Sequence, residues 1–175
     1  MTTQAKPHGF ITRGIHWASG ALIGYGYLKG LESAEQLNDP AVLQFEVLYA
    51  LAIAALFAVR SMWTRYLGGT TRLPEDAPRW EHWASRLVHT GLYASVFGVV
   101  LSGLGIAAAH SYAALSGLMG MMEALHEGTL VVLPVLLVLH IVGALWHKLV
   151  RGDGVLESMT GRLSGLIRLR RRTIL

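Results

Sequence analysis

The sequence HEGTLVVLPVLLVLHIVGALWHK, residues 126–148, is an almost unbroken apolar segment that carries three histidines. His140 follows His126 by fourteen residues and precedes His147 by seven. One or two heptads return a helical side chain to nearly the same face, so the three imidazoles are predicted to form one stripe. At about 1.5 Å per residue, the first two lie about 21 Å apart along the axis. Ionisable side chains inside an apolar span are costly and indicate a functional site.

The composition indicates an integral membrane protein. The chain has 175 residues, of which 53% are hydrophobic and only 15% are charged, which is too apolar for an ordinary soluble domain. Several apolar stretches reach the roughly 20 residues that a helix needs to cross a bilayer. The sequence contains no cysteine, which excludes disulfides, thiolate-held iron–sulfur clusters and covalent c-type haem attachment. Membrane lipids are expected partners, and nucleic acid is not.

Four membrane spans are predicted, at about residues 15–30, 41–60, 87–109 and 126–147. They define an all-α integral membrane four-helix bundle, a single domain over residues 1–175. The glycines of the first span let a neighbouring helix or a flat ligand approach closely. In the linker, residues 78–86 are predicted to form a short amphipathic helix at the membrane surface, where tryptophans are typical. Pro134 is expected to bend the last helix.

The basic residues predict the orientation of the bundle. If the chain crosses four times, one side receives both termini and fourteen of the fifteen Lys and Arg, namely Lys6, Arg13, Arg60, Arg65, Arg72, Arg79, Arg86, Lys148, Arg151, Arg162, Arg168, Arg170, Arg171 and Arg172. Only Lys29 lies opposite. The positive-inside rule therefore predicts that both termini are cytoplasmic. The basic tail, residues 156–175, is expected to bind the inner leaflet.

The predicted depths of the histidines suggest a cofactor. His16 opens the first helix on the inner side, and the last helix reaches the same level at His140. Two imidazoles that face each other across a helix bundle are typical axial ligands of a b-type haem. His126 would then bind a second haem nearer the outer surface. His89 and His147 lie near the inner headgroups, where ligation, propionate contact, quinone contact and a purely polar role all stay open.

Three segments resemble the prokaryotic cytochrome b561 family: R-G-I-H-W at 13–17, R-L-V-H-T-G-L-Y at 86–93, and His-x13-His followed by W-H-K at 126–148. Members of that family are small four-helix, di-haem membrane cytochromes related to the cytochrome b subunits of nickel–iron hydrogenases. The resemblance covers about residues 10–155. Its most specific part is the pair of histidines on the last helix.

The resemblance implies a set of haem contacts. His16 and His140 would ligate an inner haem b, and His126 would be one ligand of an outer haem. Arg60 and Arg65 end the second helix as the family's basic residues do, and they are expected to pair with haem propionates through charge-assisted hydrogen bonds.

Glu46 departs from the family's pattern. The family takes its other outer ligand from a histidine near the start of the second helix, fourteen residues before the position of Arg60, where this chain has Glu46. No histidine occurs between residues 17 and 81. Three outcomes stay open: the outer haem is absent, it is five-coordinate on His126, or Glu46 or another group completes it. A retained haem with altered ligation is preferred to a lost one.

The resemblance implies electron transfer in the bacterial inner membrane, between a periplasmic redox partner and quinone, such as ubiquinone, near the cytoplasmic side. The predicted outer face carries six carboxylates against Lys29. That charge suits docking of a basic protein, such as a cytochrome, better than capture of superoxide. Two alternatives are a superoxide:ubiquinone oxidoreductase and a haem-containing anchor subunit of a larger dehydrogenase or hydrogenase complex. Whether the chain is itself an enzyme stays open.

Overall fold

A computed structural model describes residues 8–31, 33–66, 73–74 and 77–161 of the protein. The regular structure of these residues is helical throughout and includes no strand. The α-helices are α1 (Phe10–Lys29), α2 (Pro40–Tyr66), α3 (Arg79–Ser111), α4 (Met119–Trp146) and α5 (Val155–Thr160). Short 3-10 turns precede α2 and α4, and a π-helical turn, His147–Arg151, continues α4. The predicted all-α class is confirmed.

Among the described residues, three helical segments are long and apolar enough to cross a membrane: Pro40–Tyr66, Arg79–Ser111 and Ala113–Arg151. The last consists of α4 with the short turns at its two ends. The helix α1 is not one of them, and it carries Arg13, His16 and Lys29 in its twenty residues. The chain is therefore a helical protein with several candidate membrane spans.

Two helices are longer than the sequence pattern predicts. The helix α2 continues to Tyr66 instead of ending near residue 60, and α3 begins at Arg79 instead of residue 87. The prediction of a separate surface helix at 78–86 is therefore wrong, because Pro78 caps α3 and the following residues form its first turns. Pro134 lies inside α4 and does not end it. Arg72 and the basic tail beyond residue 161 lie outside the described residues.

A row of glycines joins α3 to α4. Gly91, Gly98 and Gly105 would each bring an added Cβ within 3.0 Å of an α4 side chain, these side chains being Leu136, Thr129 and Met122. Both rows repeat every seven residues and run in opposite directions, so the glycines define an antiparallel register. Close backbone approach at small residues is a common basis of helix association in membranes.

The apolar core lies where α2, α3 and α4 meet, and its buried members are Ile53, Phe57, Val96, Val100 and Leu133. The helix α1 packs beside α2, where Tyr49 of α2 donates a hydrogen bond to the Leu22 carbonyl. Gly26 makes this contact possible, since a Cβ there would lie 2.9 Å from the Tyr49 hydroxyl.

One hydrogen bond also ties α1 to α4, from the Tyr27 hydroxyl to the Leu130 carbonyl, at 2.8 Å. The two backbones approach each other much less than those of α3 and α4 do. Their facing sides therefore leave space for side chains, and His16 and His140 meet there.

Candidate functional site

The histidine stripe of α4 faces its neighbouring helices, as the heptad spacing predicts. His126 contacts Ser102 of α3, and His140 contacts rings from both α1 and α3. His147, in the π-helical turn, is buried and bonds to Asp153. The three imidazoles thus stand at three levels with three different sets of neighbours.

At the middle level, His140 lies between two other imidazoles. Its ring centre is 6.0 Å from that of His16, with the planes inclined at 50°, and 5.0 Å from that of His89 in an edge-to-face contact. The Nδ1 atom of His89 lies 2.6 Å from the Ser85 carbonyl oxygen, to which it donates a hydrogen bond. His89 is therefore held by its own helix, whereas His16 and His140 approach from two helices.

Arg60 completes this level from α2. Its Nη2 atom lies 3.0 Å from His16 Nδ1, and its guanidinium sits over the rings of Phe57 and Tyr93, at 5.8 and 5.7 Å from their centres. These cation–π contacts hold the guanidinium beside His16. A guanidinium has no acceptor atom, so Nδ1 of His16 accepts the hydrogen bond and the neutral ring carries its proton on Nε2.

The residues of this level fit a haem held by two imidazoles. Metal–imidazole bonds are about 2 Å long, so ring centres 6.0 Å apart leave room for one metal atom between ring nitrogens. Arg60 adds a cation beside the pair, where a propionate would find a charge-assisted partner. His16, His140 and Arg60, predicted separately from the sequence, are brought together here.

Arg65 lies apart from the two histidines. It is exposed and lines a cavity of about 410 Å³ with Ser61, Thr64, Tyr93 and Phe97. Tyr93 is near both arginines, because it lines this cavity and its ring also contacts the Arg60 guanidinium.

At the level of His126, the two predicted ligands contact different parts of the fold. His126 Nδ1 lies 2.9 Å from the Ser102 hydroxyl, and its ring packs over Gly103, both on α3. Glu46 lines a different cavity, of about 360 Å³, together with Tyr25, Lys29 and Phe45. No hydrogen bond or ion pair joins Glu46 to His126 in the described part of the chain. His126 and Glu46 therefore have different neighbours among the described residues.

The level of His147 holds a charged cluster that the sequence pattern did not predict. Its Nδ1 atom lies 2.6 Å from Asp153 Oδ2, and its Nε2 atom lies 4.0 Å from Glu81 Oε2. Arg151 approaches both carboxylates, at 3.4 Å from Glu81 and 3.5 Å from Asp153. Trp146 donates to Glu81 Oε1 at 3.4 Å. We call Glu81, His147, Arg151 and Asp153 the inner cluster.

The inner cluster is deeply buried, with side-chain exposures of 4% for Glu81, 9% for His147 and 1% for Asp153. The only sequence signal for this cluster was Glu81, which lies between Trp80 and Trp83 in a segment that was predicted to lie at the membrane surface. Because that segment belongs to α3, the carboxylate points inward against α4.

The fold and site together define a class: a multi-pass helical membrane protein with a paired-histidine site that fits a haem. The family of prokaryotic cytochrome b561 matches residues 8–162. The chain belongs to this family, and membership implies b-type haem and electron transfer in a membrane. No curated protein and no solved structure is significantly similar to the chain.

Proposed function

We propose that the protein is a membrane cytochrome with one haem b, which transfers electrons between a redox partner on the periplasmic side and quinone near the cytoplasmic side. The observation that carries the proposal is the approach of His16 and His140 to 6.0 Å from two different helices, with Arg60 at 3.0 Å from His16. Haem b, when bound there, supplies a one-electron carrier. Family membership supports the cofactor and the activity class.

The chain's own residues have distinct roles in this site. His16 and His140 would hold the haem iron, and Arg60 would pair with a haem propionate. If His16 holds the iron through Nε2, the proton of its neutral ring would lie on Nδ1, and that atom would no longer accept the hydrogen bond from Arg60. The Arg60 guanidinium would then be available for a carboxylate.

The bundle has four spans and both termini in the cytoplasm. In this arrangement α1 is the fourth span, despite its charges, because Arg13 and Lys29 lie near its two ends, where long cationic side chains reach the headgroups. The distribution of Lys and Arg along the chain supports the orientation. A bacterial inner membrane is the location that the family and this topology favour.

The outer face favours a basic protein partner. The described residues of this face include exposed Glu35, Asp39 and Glu127, with Lys29 as the cation at the end of α1. Such a surface attracts a cationic protein and repels superoxide. At the inner side, His147 and the exposed His89 are the candidate quinone contacts. Quinone is the electron acceptor or donor there.

The decisive test measures haem and quinone in one sample. Pyridine haemochrome analysis of the purified chain should give one haem b per polypeptide, with a reduced-minus-oxidised spectrum of a low-spin b haem. A ubiquinone analogue should reoxidise the reduced protein. Absence of haem would refute the cytochrome assignment, whereas a haem that does not react with the analogue would refute the quinone link alone.

Superoxide oxidation and a role as a membrane anchor are the competing functions. Rapid mixing with superoxide should reduce the haem no faster than buffer controls, because the acidic outer face opposes an anionic substrate. Fast reduction would favour the oxidase. A haem that exchanges electrons with quinone in the isolated chain would count against a purely structural anchor.

A further inference from the structure

The inner cluster contains a gap between two proton-binding atoms. Glu81 Oε2 is buried and has no hydrogen-bond partner, and it faces His147 Nε2 at 4.0 Å. That separation is too long for a direct hydrogen bond. A buried carboxylate oxygen left without a partner is costly, so such an atom calls for a physical explanation.

Asp153 determines which nitrogen of His147 faces the gap. Its Oδ2 atom takes the Nδ1 side of the imidazole at 2.6 Å, and its Oδ1 atom accepts the backbone N–H of Val155 at 3.2 Å. A carboxylate held this way keeps the imidazole proton on Nδ1. In the neutral ring Nε2 is then an acceptor, and two acceptors face each other across the gap.

The inner cluster combines charges of both signs. Within the described residues, two carboxylates, Glu81 and Asp153, face the guanidinium of Arg151, and Lys148 pairs with Glu157 next to the cluster at 3.2 Å. Buried charge is stable only when it is balanced. A proton on either of the two atoms that face the gap would fill it with a donor.

We propose that Glu81 and His147 bind one quinone oxygen across this gap and exchange the proton with it, while Asp153 is a positioning residue for His147. The inference rests on the proposed function. In the oxidised ligand, the carbonyl oxygen accepts a hydrogen bond from the protonated member of the pair. In the reduced ligand, the hydroxyl donates a hydrogen bond to the same atoms. The gap therefore suits a ligand oxygen that changes between acceptor and donor.

The reaction balances with protons from two sources. Quinone takes up two electrons and two protons to give quinol, and the protein, with one haem, supplies the electrons one at a time in two turnovers. The proton of the inner cluster forms one O–H bond, and water supplies the proton of the other. The cluster recovers its proton from the cytoplasm on the side of Arg151, which keeps 20% of its side chain exposed. Trp80, Trp83 and Trp146 are exposed, and Trp146 contacts Glu81, so these side chains are candidates for contact with the ring of the ligand.

The test is stopped-flow reoxidation of the dithionite-reduced, haem-loaded full chain by decylubiquinone, with ferricyanide as an acceptor that takes no proton. Glu81→Gln keeps the shape of the side chain and removes its proton exchange. It should slow reoxidation by quinone about a hundredfold, the range of general acid catalysis, and leave the ferricyanide rate and the haem spectrum unchanged. Glu157→Gln is the matched control, because it removes a carboxylate at the same end outside the gap, and it should react at the wild-type rate.

Two further measurements keep the test decisive if Glu81→Gln fails to fold. Glu81→Asp retains a carboxylate and should keep part of the quinone rate, and deuterium oxide should slow the wild-type protein with quinone but not with ferricyanide. Wild-type quinone rates in Glu81→Gln, or an equal loss with both acceptors, would overturn the proton assignment. A wild-type protein that quinone does not reoxidise would refute the quinone link, and with it this inference.

Discussion

Replacing Arg60 with glutamine should lower the midpoint potential of the haem by about 100 mV. The Arg60 guanidinium lies 3.0 Å from His16 Nδ1. With the width of the ring and a metal–nitrogen bond of about 2 Å, its charge would lie about 7 Å from an iron held by His16 Nε2. At an effective dielectric constant of about 20, this corresponds to about 2.4 kcal/mol. For one electron, that energy equals about 100 mV.

The sign follows from the charge of the haem iron. A nearby cation disfavours the oxidised iron more than the reduced iron, so removal of the cation favours oxidation and lowers the potential. A guanidinium that pairs with a propionate at a greater distance from the iron would give a smaller shift of the same sign. Arg60→Lys retains the charge and should shift the potential much less than Arg60→Gln.

The assay is a spectroelectrochemical titration of the haem absorbance in purified protein. Arg86→Gln is the matched control, since Arg86 is also a basic residue near one end of a long helix, α3, but it is exposed and stacks on Trp83 at 5.6 Å. Solvent screens such a charge, so the control should move the potential by less than about a quarter of the Arg60 effect. An upward shift in Arg60→Gln, or equal shifts in both variants, would refute the electrostatic reasoning.

Three further predictions concern haem content and packing. His140→Ala should abolish haem binding, and with it about 4 kcal/mol of stabilisation when haem is present at a thousandfold excess over its Kd; haem per polypeptide and the thermal midpoint measure both. Glu46→His should raise the content from one haem to two if α2 keeps the family's geometry, as pyridine haemochrome analysis will show. Gly98→Ala should destabilise the bundle by about 1–3 kcal/mol through overpacking, because the new Cβ meets Thr129 Cγ2 at 2.7 Å. Gly128→Ala, with nothing within 4 Å, should stabilise it by about 0.5–1 kcal/mol.

Each of these predictions has a contrary result. A full low-spin spectrum in His140→Ala would remove this residue from the ligand set. One haem in Glu46→His, with the protein folded, would indicate that the cavity of Glu46 is not a haem site. Equal thermal midpoints for the two glycine variants would contradict the close approach of α3 and α4.

The helices and the face of α4 that carries the histidines were predictable because their signals are local. Long apolar runs indicate membrane helices whatever their neighbours, and the heptad spacing of His126, His140 and His147 assigns one face of α4 directly. The ends of α2 and α3 were predicted less well. The arginines and tryptophans of residues 79–86 suggested a surface segment. These residues instead form the start of α3, which keeps their backbone hydrogen-bonded and places Glu81 in the inner cluster.

Local sequence therefore established the helical class with several candidate membrane spans and the histidine stripe on α4. Packing established which of these residues meet. His126 lies against Ser102 and Gly103 of α3, and Glu81 approaches His147 from a distant part of the chain. The physical reason is that contacts between helices depend on their register and rotation. The glycine row of α3 fixes the register and the rotation, because the side chains of α4 fit against the glycines at one alignment. In the sequence, that alignment is visible only as glycines spaced by seven residues.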